Sequence, residues 1–162
     1  MKKLIVGLAF LVVLLGLTAL TMAANTAQQT VTYEVTAINE ISVSGDPTNL
    51  VVNTATAGSE PTADTDATTT WAVTTNESSK KMTGSIDSNM PANTTLEVNL
   101  AAPTGGTGQG DVTLSTTAGD LVTGIATVAE SGLTITYTLS ATIAAGVVAQ
   151  AQKTVTLTLT DS

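Results

Sequence analysis

The sequence predicts an all-β protein: an antiparallel β-sandwich of about 8–10 strands, preceded by an N-terminal hydrophobic signal helix. Three observations point there. Thr alternates with apolar residues at period two over long stretches. Clusters of Gly, Pro, Asn, Asp and Ser cut these stretches into short runs. After residue 25 the apolar residues show no 3.6-residue stripe.

The first element sets the compartment. Lys2 and Lys3 precede an uncharged apolar stretch, Leu4 to Leu20, and then Thr21-Met22-Ala23-Ala24. A short positive region, an apolar core and small residues at the end make a secretory signal peptide over residues 1–24, with cleavage after Ala23 or Ala24. The alternative is a retained membrane anchor, because residues 4–20 approach the roughly 20 residues a membrane-spanning helix needs. Either way the expected location is secreted, extracellular and at the cell surface. With no Cys, a lipid anchor on a modified cysteine is excluded.

Residues 25–162 are the length of one domain. The first alternation sets Val31, Tyr33, Val35, Ala37, Ile41 and Val43 against Thr32, Glu34, Thr36, Glu40 and Ser42. It returns as Leu133, Ile135, Tyr137, Leu139, Ala141 and Ile143 between Thr and Ser residues. It closes as Val155, Leu157 and Leu159 among Thr154, Thr156, Thr158 and Thr160. Thr is β-branched and suits a pleated, half-buried surface, so these runs read as strands with one inward face. Shorter runs at 49–53, 69–75, 81–87, 94–100, 111–116 and 121–128 read as strands too. Breakers separate them at 45–47, 58–61, 76–79, 90–93 and 103–110, with tight connections expected at 118–120 and 130–132. A short helical turn is expected within 143–151, weakened by Gly146.

Composition narrows the function. Beyond the signal, three Lys stand against thirteen acidic residues with no Arg, a net charge of −10. That field repels nucleic acid and anionic lipid, so neither is an expected partner, and any membrane contact would run through residues 4–20. His and Cys are both absent. The commonest general base, the thiolate nucleophile and most transition-metal ligands go with them, and aromatic walls for a sugar site are scarce, so no enzyme is expected. No cofactor is expected beyond Ca²⁺, for which Glu60, Asp64 and Asp66 are the candidate ligands in one loop; the plain alternative is a solvated acidic loop. Asn76-Glu77-Ser78 and Asn93-Thr94-Thr95 are candidate glycosylation sequons at Asn76 and Asn93. Trp71 reads as the large anchor of the core. Lys81 and Lys153 stand at strand starts, where Lys guards an edge against promiscuous pairing.

The signal, the alternating first run 30–37 (TVTYEVTA) and the closing run 153–161 (KTVTLTLTD) resemble secreted subunits of donor-strand filaments: spore-coat-U and pilin-like proteins, TasA-like fibre proteins and the bundling pili of archaea. The resemblance implies an immunoglobulin-like or pilin-like sandwich. It also implies a homopolymer of the extracellular filament, pilus or matrix-fibre type, built by adding a strand of one subunit to the next. The alternation from Thr30 to Ser44 is longer than an ordinary strand, and Asn39 interrupts its apolar face. Residues 25–37 would then be a donor extension, with Val31, Tyr33, Val35 and Ala37 filling a neighbour's groove. Equally open is a single bent strand that stays at home. The alternative of another class is a monomeric envelope module that binds carbohydrate or Ca²⁺.

Overall fold

A computed structural model describes residues 25–162, so the expected signal helix over residues 1–24 lies outside the described residues. The chain divides into two units between Glu34 and Val35. In the described part of the first unit, residues 26–34 carry no turn, bend or strand pairing, and every side chain is exposed.

The second unit, residues 35–162, is all-β. Among the described residues nine strands form two antiparallel sheets. The five-stranded sheet takes β1 (Asn39–Val43), β2 (Asp64–Thr75), β8 (Val128–Ala141), β4 (Thr94–Leu100) and β6 (Val112–Thr113) in the order β1-β2-β8-β4-β6. The four-stranded sheet takes β5 (Thr107–Gly108), β7 (Gly119–Ile125), β3 (Lys80–Ile86) and β9 (Val155–Asp161) in the order β5-β7-β3-β9. One apolar core joins the inner faces of both, consistent with the β-sandwich that the sequence predicts.

Period two does the sorting. In β3 the inward residues are Met82, Gly84 and Ile86; in β4 they are Leu96, Val98 and Leu100; in β8 they are Leu133, Ile135 and Tyr137. The intervening Thr and Ser face outward and meet across strands, as Thr83 meets Thr158 and Ser85 meets Thr156. Trp71 is buried on β2 as expected and donates its indole N–H to the Ala101 carbonyl at 3.1 Å. Each fully buried Leu, Ile, Val or Met side chain stabilises the fold by about 1.5–3 kcal/mol. Gly84 is a spatial requirement: a Cβ there would stand 2.7 Å from Leu121 Cδ1.

Several expected elements differ, each for a local reason. Residues 49–53 form no strand, because Asp64 Oδ2 accepts the Val51 N–H at 2.6 Å and Asp66 accepts the Thr48 hydroxyl. These carboxylates satisfy the segment as a loop, leaving one isolated bridge between Ala55 and Pro61. The run 111–116 shortens to β6 because the chain then crosses between sheets. Leu114 N–H bonds the Leu96 carbonyl of one sheet, and the Ser115 carbonyl accepts from Ile86 of the other. Within the expected loop 103–110, Thr107 and Gly108 pair with β7 as β5. Residues 121–128 split at Ala126-Thr127, where Thr127 takes φ 40° and β7 turns into β8. The expected turn at 130–132 is instead a bulge inside β8, opposite the register shift between Trp71 and Val73. The helical turn shrinks to a 3-10 turn, Ile143–Ala145, stopped by Gly146 at φ 63°.

Candidate functional site

The long first alternation breaks where Asn39 interrupts it. From Asn39 onward the chain pairs with β2, Asn39 facing Thr75 and Val43 facing Trp71. Residues 26–38 belong to no strand and contain no turn or bend. Between 26 and 35 no backbone hydrogen bond is made among the described residues. Val31, Tyr33 and Val35 are 74, 88 and 79 % exposed, and Ala37 is exposed as well. A row of large apolar side chains at strand spacing, all in water, is unusual for a soluble domain.

Where the unpaired run meets β1, it is clamped. Asn76, in the turn after β2, accepts the Ile38 N–H on Oδ1 at 2.8 Å and donates from Nδ2 to the Thr36 carbonyl at 2.8 Å. Its own N–H donates to the Ile38 carbonyl at 3.3 Å. An Asn side chain carries a donor and an acceptor on one planar group, so it can imitate a neighbouring strand for two residues. Asn39 continues the arrangement: its Oδ1 accepts from the Thr75 hydroxyl and its Nδ2 donates to Glu77.

The candidate Ca²⁺ ligands are not brought together. Glu60 accepts the Ile143 N–H at 2.7 Å, Asp64 accepts from Val51 and Thr65, and Asp66 accepts from Thr48 and Thr68. Among the described residues no group of three acidic side chains is placed to hold a metal. Hydrogen bonding explains the titration of Asp66. The Thr48 hydroxyl, then the Thr68 N–H and hydroxyl, hold its carboxyl below the ordinary value against the opposing effect of burial.

The Asn76 sequon nitrogen is the atom that donates to Thr36. The Asn93 nitrogen donates to the Ala144 carbonyl, although both residues are exposed. Of the lysines, Lys81 meets Asp120 at 3.0 Å, and Lys153 donates to Ser88 and the Asn89 carbonyl. Lys80, which sequence reasoning passed over, sits between Asp161 at 2.5 Å and Glu77 at 2.7 Å and ties the end of β9 to the start of β3. The hydrogen bonds its ammonium donates to Asp161 and then to Glu77 raise its pKa. Glu77 is held low, first by the Asn39 amide and then by Lys80.

The unpaired run had a signal in its length and in Asn39. The clamp did not, because Asn76 reads simply as a turn residue. No protein-family model matches this chain, and no curated protein matches it.

Proposed function

We propose that this chain is a structural subunit of an extracellular filament, pilus or matrix fibre, in which residues 30–37 of one copy add as a strand to another. The observation that carries the reading is the unpaired run. Eight residues alternate Thr or Glu with Val, Tyr, Val and Ala, make no backbone hydrogen bond from Thr30 to Val35 among the described residues, and leave the apolar side chains exposed. Burying that row and pairing its backbone both lower the free energy, and an intermolecular ladder does the two at once. Such head-to-tail contacts need not close on themselves, and where they do not they propagate a fibre. The absence of Cys leaves stabilisation to packing and to neighbouring subunits.

The test is deletion of residues 25–37 from the full chain, with the product examined by negative-stain electron microscopy after concentration. Fibres from the parent chain and dispersed particles from the deletion are expected, and the triple substitution of Val31, Tyr33 and Val35 by Ser should behave like the deletion. Undiminished fibres from either would sink the proposal.

A further inference from the structure

Two sheets present four edges, and they differ. β5 and β6 are two residues each, too short to template a long ladder. β1 and β9 lie beside one another, so both longer edges open on the same side of the sandwich. β9 is seven residues long and pairs with β3 on one side only. Its hydrogen-bonding phase can be read from its ends. Asp87 N–H donates to the Thr154 carbonyl and Ser162 N–H donates to the Ser79 carbonyl. Alternation in an antiparallel ladder therefore turns the backbone groups of Thr156, Thr158 and Thr160 toward β3. Those of Val155, Leu157 and Leu159 point to the open edge. The same three residues carry the inward side chains of β9, and they are only half-buried, whereas their counterparts on β3 and β4 are buried.

Next to this edge lies a groove of about 670 Å³ whose lining includes Val155 and Leu157 of β9, Val43 of β1, and Ile135 and Tyr137 of β8. Thr69 lines it too. That residue is 4 % exposed, and its hydroxyl has no hydrogen-bond partner among the described residues. A buried hydroxyl without a partner is uncommon, because the desolvation goes uncompensated.

We infer that this groove receives residues 31–37 of a second copy, laid as a strand beside β9, with the Tyr33 phenol reaching the Thr69 hydroxyl. The inference rests on the strand-addition reading above and names its acceptor. Residues 31–37 and β9 are both seven long, about 23 Å at the usual rise. Val31, Tyr33, Val35 and Ala37 have the spacing of Val155, Leu157 and Leu159, so one register seats the whole row. Residues 26–38 carry no turn, bend or strand pairing among the described residues. Among the row only Tyr33 has a polar tip, and a phenol entering an apolar groove needs a partner that Thr69 supplies.

The experiment measures the critical concentration for fibre assembly of the full chain by sedimentation, with circular dichroism and Trp71 fluorescence as checks on folding. Tyr33→Phe and Thr69→Val should each raise it about three- to tenfold, the effect of one buried hydrogen bond. Together they should raise it no further than the larger single effect. Thr69→Val should not lower the melting temperature of the unassembled chain, since it replaces an unpartnered hydroxyl by a methyl. Leu157→Pro removes an N–H that β3 does not use and should abolish assembly while the fold persists. If that variant fails to fold, the Tyr33 and Thr69 cycle carries the test alone. Independent, additive effects of Tyr33→Phe and Thr69→Val, or none, overturn the inference. If deleting 25–37 abolishes fibres while Leu157→Pro and Thr69→Val assemble as the parent does, the acceptor is another edge and only the donor reading stands. If the deletion itself still assembles, both fall.

Discussion

Replacing Asn76 by Ala should loosen the exit of the unpaired run without disturbing the core. The substitution removes two side-chain hydrogen bonds, one from the Ile38 N–H and one to the Thr36 carbonyl, and leaves the backbone bond from residue 76 to Ile38 in place. An intramolecular hydrogen bond contributes about 0.5–1.5 kcal/mol net, and both of these are exposed, so water takes up part of the loss. The sum is about 1–2 kcal/mol. For a domain of this size that corresponds to a fall in Tm of about 3–8 °C. The sharper readout is amide hydrogen exchange, because β1 is five residues long and opens locally. Protection of the Ile38 amide should fall about 5–30-fold, with Leu96 and Val98 in the core unaffected. Asn76→Asp retains the acceptor for Ile38 but turns a carboxylate toward the Thr36 carbonyl, so it should preserve Ile38 protection and lose only the second contact. Unchanged exchange at Ile38 in the Ala variant would refute the clamp.

Two further outcomes follow from the geometry. Gly84→Ala places a methyl against Leu121, so it should destabilise by about 1–3 kcal/mol as overpacking does. In a Leu121→Ala background, itself costing about 2–5 kcal/mol, that penalty should disappear; additivity of the two in denaturant melts would count against the close approach. For pH, Asp66 and Glu77 both have carboxyls held below their ordinary values of 3.8 and 4.5. Groups shifted down contribute stability that is present above the unfolded-state pKa and lost as pH falls through the folded one. The domain should therefore keep its melting temperature through neutral pH and lose it below about pH 4, and Asp66→Asn should flatten that acid limb. An unchanged acid limb in Asp66→Asn would show that the Thr48 and Thr68 bonds do not favour the ionised form.

Much of the sandwich was legible because inward positions repeat at period two wherever a strand has one buried face. Met82, Ile86, Leu96, Val98, Leu100, Ile135 and Tyr137 all stand at such positions. One failure comes from side chains competing with backbone. Residues 49–53 have a strand's composition, yet Asp64 and Asp66 take the Val51 N–H and the Thr48 hydroxyl and hold the segment as a loop. Thr65 and Thr68 are local partners of these carboxylates, but Val51 and Thr48 lie 13 and 18 residues away, and nothing in the sequence announces them. Gly132 looked like a turn, but a bulge uses the same positive φ and lets the strand continue. At the candidate site the unpaired run could be suspected from its length, whereas the orphan Thr69 hydroxyl and the open side of β9 exist only once the sheet order is known.

That limit has a physical root. Alternation records which side chains want to leave water; it carries no record of which backbone will lie alongside. Residues 31–37 and Val155–Asp161 have nearly the same pattern, apolar residues separated by Thr, yet one pairs with β3 and the other with nothing among the described residues. The difference comes from the sheet. β9 finds β3 free on one side because β7 occupies the other. Residues 31–37 precede β1, whose partner, β2, ends in the Asn76 turn just where Ile38 lies. Among the described residues no strand continues the ladder past that point, while the apolar row runs on through Ala37, Val35, Tyr33 and Val31. A segment patterned for a sheet but unpaired among the described residues suits an edge from elsewhere, and the edge we propose is β9, seven residues long with Val155, Leu157 and Leu159 half-buried.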